Sequence, residues 1–148
     1  VSNPTTPIII AIDGPAASGK GTLARRLAER FDLAHLDTGK LYRVTALRVI
    51  ETGGDPADPI AAEKAARSPD FSRLGDPRLV QEDVARASSV VAAIPAVRGA
   101  LLEAQRSFAH HPPRVGKSAA NGAVLDGRDI GTVVCPDANV KLFLVASA

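Results

Sequence analysis

Residues 8–22 read Ile8-Ile9-Ile10-Ala11-Ile12-Asp13-Gly14-Pro15-Ala16-Ala17-Ser18-Gly19-Lys20-Gly21-Thr22. An apolar run without alternation is the pattern of a parallel strand covered on both faces. Beyond the glycines, Leu23, Leu27 and Phe31 recur every fourth residue among Arg25, Arg26, Glu29 and Arg30. That spacing predicts an amphipathic helix with a solvated arginine face. Strand, glycine-rich turn and helix together are the setting in which G-x4-G-K-G-T cradles phosphate. A phosphate sheds water to bind, so its site must offer many aligned donors. Consecutive backbone N–H groups and the positive end of a helix supply them. Lys20 adds a charge able to follow the β- and γ-phosphates. Gly21 stands where the general pattern has Ser or Thr, and the hydroxyl arrives one residue later as Thr22. Whether Thr22 helps to hold Mg²⁺, directly or through water, is left open, and no residue is assigned as a direct ligand.

The remaining chain alternates strand and helix. A short strand is expected around Leu33–Leu36, closed by Asp37-Thr38-Gly39, then a helix from about Lys40 to Glu51. Gly53-Gly54-Asp55-Pro56 breaks the chain, and 57–76 reads as a mobile helical excursion. Val80, Val84, Ala87 and Val91 mark another helix. Pro95 suits the first turn of the next, with Val97, Leu101, Ala104 and Phe108 facing inward. His110 to Gly122 is a loop, and its histidines lack partners at metal-ligand spacing. Gly116-Lys117-Ser118 in that loop imitates the end of a phosphate loop, but His111 stands where the required glycine would be and no strand precedes it. Ala123–Asp126 and Val140–Val145 read as the third and fourth strands. The pattern is α/β, a parallel sheet with helices on both faces.

Composition narrows the function classes. The 148 residues fit one domain, 45% are hydrophobic and the formal charge is only +2. That charge argues against a nucleic-acid stripe or a membrane-surface patch, and 3% aromatics argue against a base-stacking platform. Cys135 is the single cysteine, so no internal disulfide forms; a small buried apolar role in a reducing cytoplasm is expected. The run Ile8–Ile12 is too short to span a bilayer, and VSNPTTP reads as a disordered terminus over 1–7 rather than a signal peptide.

GKGT in the loop resembles the nucleoside monophosphate kinases. Three further stretches are similar to bacterial cytidylate kinases across nearly the whole chain: Leu36-Asp37-Thr38-Gly39-Lys40-Leu41-Tyr42-Arg43, Ala92-Ala93-Ile94-Pro95-Ala96-Val97-Arg98 and Asp126-Gly127-Arg128-Asp129-Ile130-Gly131-Thr132-Val133-Val134. The resemblance implies a three-layer P-loop kinase core over 8–148, with 53–95 as a reduced monophosphate-binding insert. It implies ATP on residues 14–22, with Mg²⁺, and CMP or dCMP as acceptor. The enzyme is then expected to be a cytoplasmic monomer that binds neither nucleic acid nor membrane. Lys20, Arg128 and Asp126 are the implied catalytic residues. Arg43 and Arg128 would grip the acceptor phosphate bidentately, assisted by the Thr38 hydroxyl. A carboxylate is the natural acceptor for the cytosine amino group, and Asp129 matches that role beside Ser89 and Arg98. Asp126 would organise Mg²⁺-bound water or Arg128. Tyr42 is open between CMP contact and packing, and Asp129 alone could instead cap a helix starting near Ile130.

Two departures from the family pattern stand out. The 57–76 segment is short, and Val80 occupies a position where the family commonly has an arginine, a contact that Arg78 could supply. The chain stops at Val145-Ala146-Ser147-Ala148, where family members continue into a helix, an arginine-bearing lid and a fifth strand. A C-terminally truncated chain with poor turnover is therefore expected. Three rivals remain: a nucleotide hydrolase or switch, although no D-x-x-G element occurs; a non-catalytic nucleotide-binding module; and a P-loop kinase with another small acceptor.

Overall fold

The computed structural model describes residues 7–116 and 118–145. Pro7 apart, the disordered terminus expected over 1–7 lies outside the described residues, as do Lys117 and residues 146–148. The chain forms two compact units, one of residues 1–38 with 105–148, the other Gly39–Ala104.

The first unit is built on a sheet of four parallel strands in the order β2-β3-β1-β4. These are β1 (Ile8–Asp13), β2 (Ala34–Asp37), β3 (Gly122–Gly127) and β4 (Val140–Phe143). With its helices, this is the expected α/β architecture. Strands β1 and β3 run side by side with Ile8 opposite Gly122 and Asp13 opposite Gly127. Their continuous apolar sequences are buried from Ile9 to Ile12 and from Ala123 to Leu125, as strands covered on both faces should be.

Helix α1 (Lys20–Phe31) packs on this sheet through Leu23 and Leu27 of the expected stripe, joined by two alanines. Ala24 and Ala28 are buried against Ile10, Ile12 and Val124, and Leu23 and Leu27 are only partly covered. Small side chains let the helix approach the sheet closely. Phe31, expected to face inward, is 49% exposed and lies beneath the Arg30 guanidinium at 5.8 Å. Edge strand β4 ends at Phe143 rather than Val145, and Phe143 and Val145 are largely exposed.

The second unit is helical. Helix α2 (Thr38–Glu51) enters it directly from β2 and starts two residues earlier than expected. It is followed by α3 (Pro59–Arg67), 3₁₀ turns at Phe71–Arg73 and Pro77–Val80, α4 (Glu82–Ala92) and α5 (Pro95–His110), whose last residues, from Gln105, belong to the first unit. The excursion at 57–76 is helical because Asp58 and Asp70 cap its two helical pieces, accepting from the N–H groups of Ile60 and Ser72 at 3.0 Å each. Val44, Leu47, Leu79 and Val84 form a core cluster. Val80 does not share the stripe of Val84, Ala87 and Val91, since it is 77% exposed while its neighbour Leu79 is buried. Extended Gln81 separates the 3₁₀ turn from α4 and breaks the helical phase between them. No single helix among the described residues is long and apolar enough to cross a membrane.

Cys135 is fully buried, and burial pushes its thiol up to about 11, as befits a packing residue. Nearby, the end of α5 is clasped to the chain before β4. Arg106 donates to the Val134 and Val133 carbonyls at 3.0 and 2.9 Å. His110 donates from Nδ1 to the Arg106 carbonyl at 2.8 Å and from Nε2 to Asp137 at 2.9 Å. An acceptor at each nitrogen favours the protonated ring, and the Asp137 hydrogen bond is the main cause of its raised pKa. The same contact lowers the pKa of Asp137. The His110 contribution is therefore complete below its ordinary value of 6.5 and fades as pH rises through the raised one. His110→Gln should lower Tm clearly at pH 5.5 and much less at pH 8.5. Equal losses at both pH values would remove the charge from this account.

Candidate active site

The turn after β1 is shaped for an anion. A Cβ on Gly14 would lie 2.6 Å from the Leu144 carbonyl oxygen, so only glycine fits there. Ala17 and Gly19 both have positive φ, 60° and 86°, and these reversals bend successive N–H groups into a concave turn. Gly19 stands at the N-cap of α1 without a side-chain cap, and the first helical turn holds no acidic residue. The first bond within the helix runs from the Leu23 N–H to the Gly19 carbonyl at 3.0 Å. The amides of Lys20, Gly21 and Thr22 precede it and are left to a ligand. Ser18 Oγ is buried with no hydrogen-bond partner, an orphan that a phosphate oxygen would satisfy. Lys20 folds back so that Nζ donates to the Pro15 carbonyl at 3.2 Å.

Parallel pairing brings the end of β3 beside this turn. Asp126 is 2% exposed, and its Oδ1 accepts from His35 Nε2 at 2.5 Å. A methyl group placed on Gly21 would sit 3.8 Å from its Oδ2. The carboxylate is held by His35 from β2, and Arg128 is exposed beyond the strand. Thr38 is buried, and its hydroxyl donates to the Asp126 carbonyl at 3.0 Å. The expected assistance to a phosphate would need that same proton, so in this arrangement Thr38 is an anchor.

Arg128 and Asp129 line an open cleft of about 550 Å³ with Asp13, Gly14, Pro15 and Phe143. Asp129 precedes a π-helical turn, Ile130–Val134, as the sequence suggested, but its side chain makes no capping bond. Its backbone is left-handed, φ 59°, a conformation that costs a non-glycine residue about 1–2 kcal/mol, with Asp among the more tolerant types. Asp13 caps the turn instead. Its two oxygens accept from the Ile130 and Gly131 N–H groups at 2.7 and 2.9 Å.

Asp13 and His35 are site residues that sequence reasoning passed over. Their partners lie 117 and 91 residues away, and only the strand register pairs them. A carboxylate closing an apolar strand was the one available signal for Asp13.

In the second unit, Tyr42 is half-buried; its pKa is raised by desolvation and opposed by the Arg98 charge. Arg43 donates to the Leu79 carbonyl at 2.8 Å, and Arg98 to the Ala92 carbonyl at 3.1 Å. Ser89 is exposed, with Oγ 3.5 Å from the Ala85 carbonyl. Arg78, suggested as a substitute at the Val80 position, is paired with Asp83 at 3.3 Å.

The family model described as cytidylate kinase matches residues 10–148. The chain belongs to the cytidylate kinase family. The cytidylate kinase of Rhodospirillum rubrum is 61% identical over 140 residues, covering 95% of this chain and 64% of that protein. Those of Acidiphilium cryptum and a Methylobacterium species are 60% and 59% identical, covering 97% and 95% of this chain and 63% of each relative. The chain thus spans slightly under two thirds of the length of these relatives.

No cluster of three or more His, Cys, Asp or Glu among the described residues could hold a metal ion unaided. Mg²⁺ commonly takes only one or two protein oxygens beside water and substrate phosphates. Thr22, exposed in the first turn of α1, and Asp126 beside Gly21 fit such a role.

The His35–Asp126 pair is open to a double-mutant cycle. His35→Ala leaves a buried carboxylate without its donor and should cost about 1–3 kcal/mol in urea unfolding. Adding Asp126→Asn should cost less than the two single losses summed. Strict additivity would show that the pair is not coupled.

Proposed function

We propose that this protein transfers the γ-phosphoryl group of ATP to CMP or dCMP, giving ADP and CDP or dCDP. The observation that carries the reading is the uncapped, glycine-built start of α1, lying at the same sheet edge as Arg128 and Asp129. Residues 14–22 would hold the ATP phosphates through backbone N–H groups and Ser18 Oγ. Lys20 would leave the Pro15 carbonyl to follow the transferring phosphoryl group. Bound Mg²⁺, held by Thr22 and, through water, by Asp126, would neutralise phosphate charge.

Transfer needs little covalent work from the protein, since positioning and charge neutralisation carry it. Arg128 would hold the acceptor phosphate, and Asp129 would accept from the cytosine amino group. Arg43, Arg98, Ser89 and Tyr42 are proposed as further CMP contacts, with 53–95 as a reduced monophosphate-binding insert. Arg43 would exchange its Leu79 carbonyl for the ligand. Thr38 is kept in the set as the residue that holds the end of β3, and Arg78 with its Asp83 pair is not included. A cytoplasmic monomer accords with soluble nucleotide substrates and a lone cysteine packed in the core.

ADP release from Mg-ATP should be measured with CMP, dCMP, UMP and AMP. The assay needs this chain and the same chain extended with the corresponding remainder of the Rhodospirillum rubrum relative. CMP and dCMP should be preferred. Lys20→Ala should slow turnover by about 10²-fold or more, with a smaller change in CMP affinity. Asp129→Ala should bring CMP and UMP to within a few-fold of each other. Preference for AMP, or equal ATP hydrolysis without any acceptor, overturns the reading.

A further inference from the structure

We propose that Asp13 is a positioning residue for base recognition: by capping the π-helical turn from a neighbouring strand, it holds in place the turn that presents the Asp129 carboxylate to the acceptor base. The inference rests on the cytidylate kinase reading of Asp129.

A helical segment begins with N–H groups that have no internal partner, and the usual remedy is the side chain of the N-cap residue. Asp129 occupies that position and is a residue type that caps well. It does not cap, because its left-handed backbone, φ 59° and ψ 25°, departs from the extended geometry that capping uses. The Ile130 and Gly131 amides turn instead to Asp13, one to each oxygen, at 2.7 and 2.9 Å. These are charge-assisted bonds in a part-buried setting, which makes them strong of their kind.

The donors and the acceptor are both held. The Leu144 N–H, just beyond β4, donates to the Asp13 carbonyl at 2.8 Å and fixes the strand end. At the far end of the turn, Arg106 takes up the Val133 and Val134 carbonyls. A Cβ at Gly131 would meet Asp13 Oδ2 at 3.4 Å and Lys141 at 3.3 Å, so the amide approaches its acceptor closely because residue 131 is small. Without Asp13, both amides lose their acceptor, and the turn that presents Asp129 to the cleft it shares with Arg128 loses its hold.

The test uses this chain with Asp13→Asn, and Asp13→Glu as the variant that keeps a carboxylate. Amide exchange at Ile130 and Gly131 reads the cap without any ligand. Calorimetric titration with CMP, UMP and ADP reads its consequence. In Asp13→Asn, exchange at both amides should quicken and the CMP-over-UMP affinity ratio should fall about tenfold. ADP affinity should stay within about twofold, and Asp13→Glu should recover part of the lost ratio. A merely structural role would weaken all three ligands together, and that outcome overturns the inference, as does an unchanged ratio. Equal CMP and UMP affinity in the unaltered protein overturns the reading of Asp129 and this inference with it. A preference present in the unaltered protein and retained in Asp13→Asn overturns the inference alone.

Discussion

Strands β1 and β3 lie side by side and parallel at the centre of the first unit, joined through six residue pairs from Ile8 with Gly122 to Asp13 with Gly127. Parallel neighbours finish at the same edge of a sheet, so the turns leaving them emerge together. One is the glycine-rich turn before α1, and the other carries Arg128 and Asp129. The register is strict: a slip of one residue would put Asp13 and Asp126 on the wrong faces of their strands. A Cβ on Gly122 would collide with the Ile8 backbone, so the first pair of the ladder also depends on a residue that has none.

That edge concentrates groups of opposite demand. A phosphate site needs donors, yet Asp13 and Asp126 stand beside it with carboxylates that would repel an anion. Each carboxylate is engaged by donors of its own, Asp13 by two amides and Asp126 by His35. Their charge is thereby directed into the protein, and the unpartnered groups at the turn are the amides at the start of α1 and the Ser18 hydroxyl. Asp129 is the exception, exposed and not used as a cap, and its strained backbone is the kind of local cost that concentrates at functional positions.

Much of this was legible in the chain itself, because it rests on local rules. The unbroken apolar runs at Ile8–Ile12 and Ala123–Leu125 require strands covered on both faces. The glycine spacing, followed by a helix, calls for a phosphate cradle. Capping aspartates at 58 and 70 belong to the same class of short-range signal. Phe31 and Val80 misled for different reasons. Apolar periodicity tells which face of a helix is apolar, but the packing distance to the next layer decides whether alanine or a larger residue fills the contact. A single extended residue such as Gln81 also resets the phase.

The sequence by itself determined the α/β class, the parallel strands, the glycine-rich turn and, through several separate stretches, the family. Each of these is read from residues within a few positions of one another, the family from several such stretches together. Only the tertiary structure decided what the buried polar groups do. His35 holds Asp126, Thr38 anchors the end of β3, and Asp13 replaces Asp129 as the cap. These partners come from different strands, and a hydrogen bond depends on distances of about 3 Å, which residues far apart in sequence reach only once the sheet has set its register.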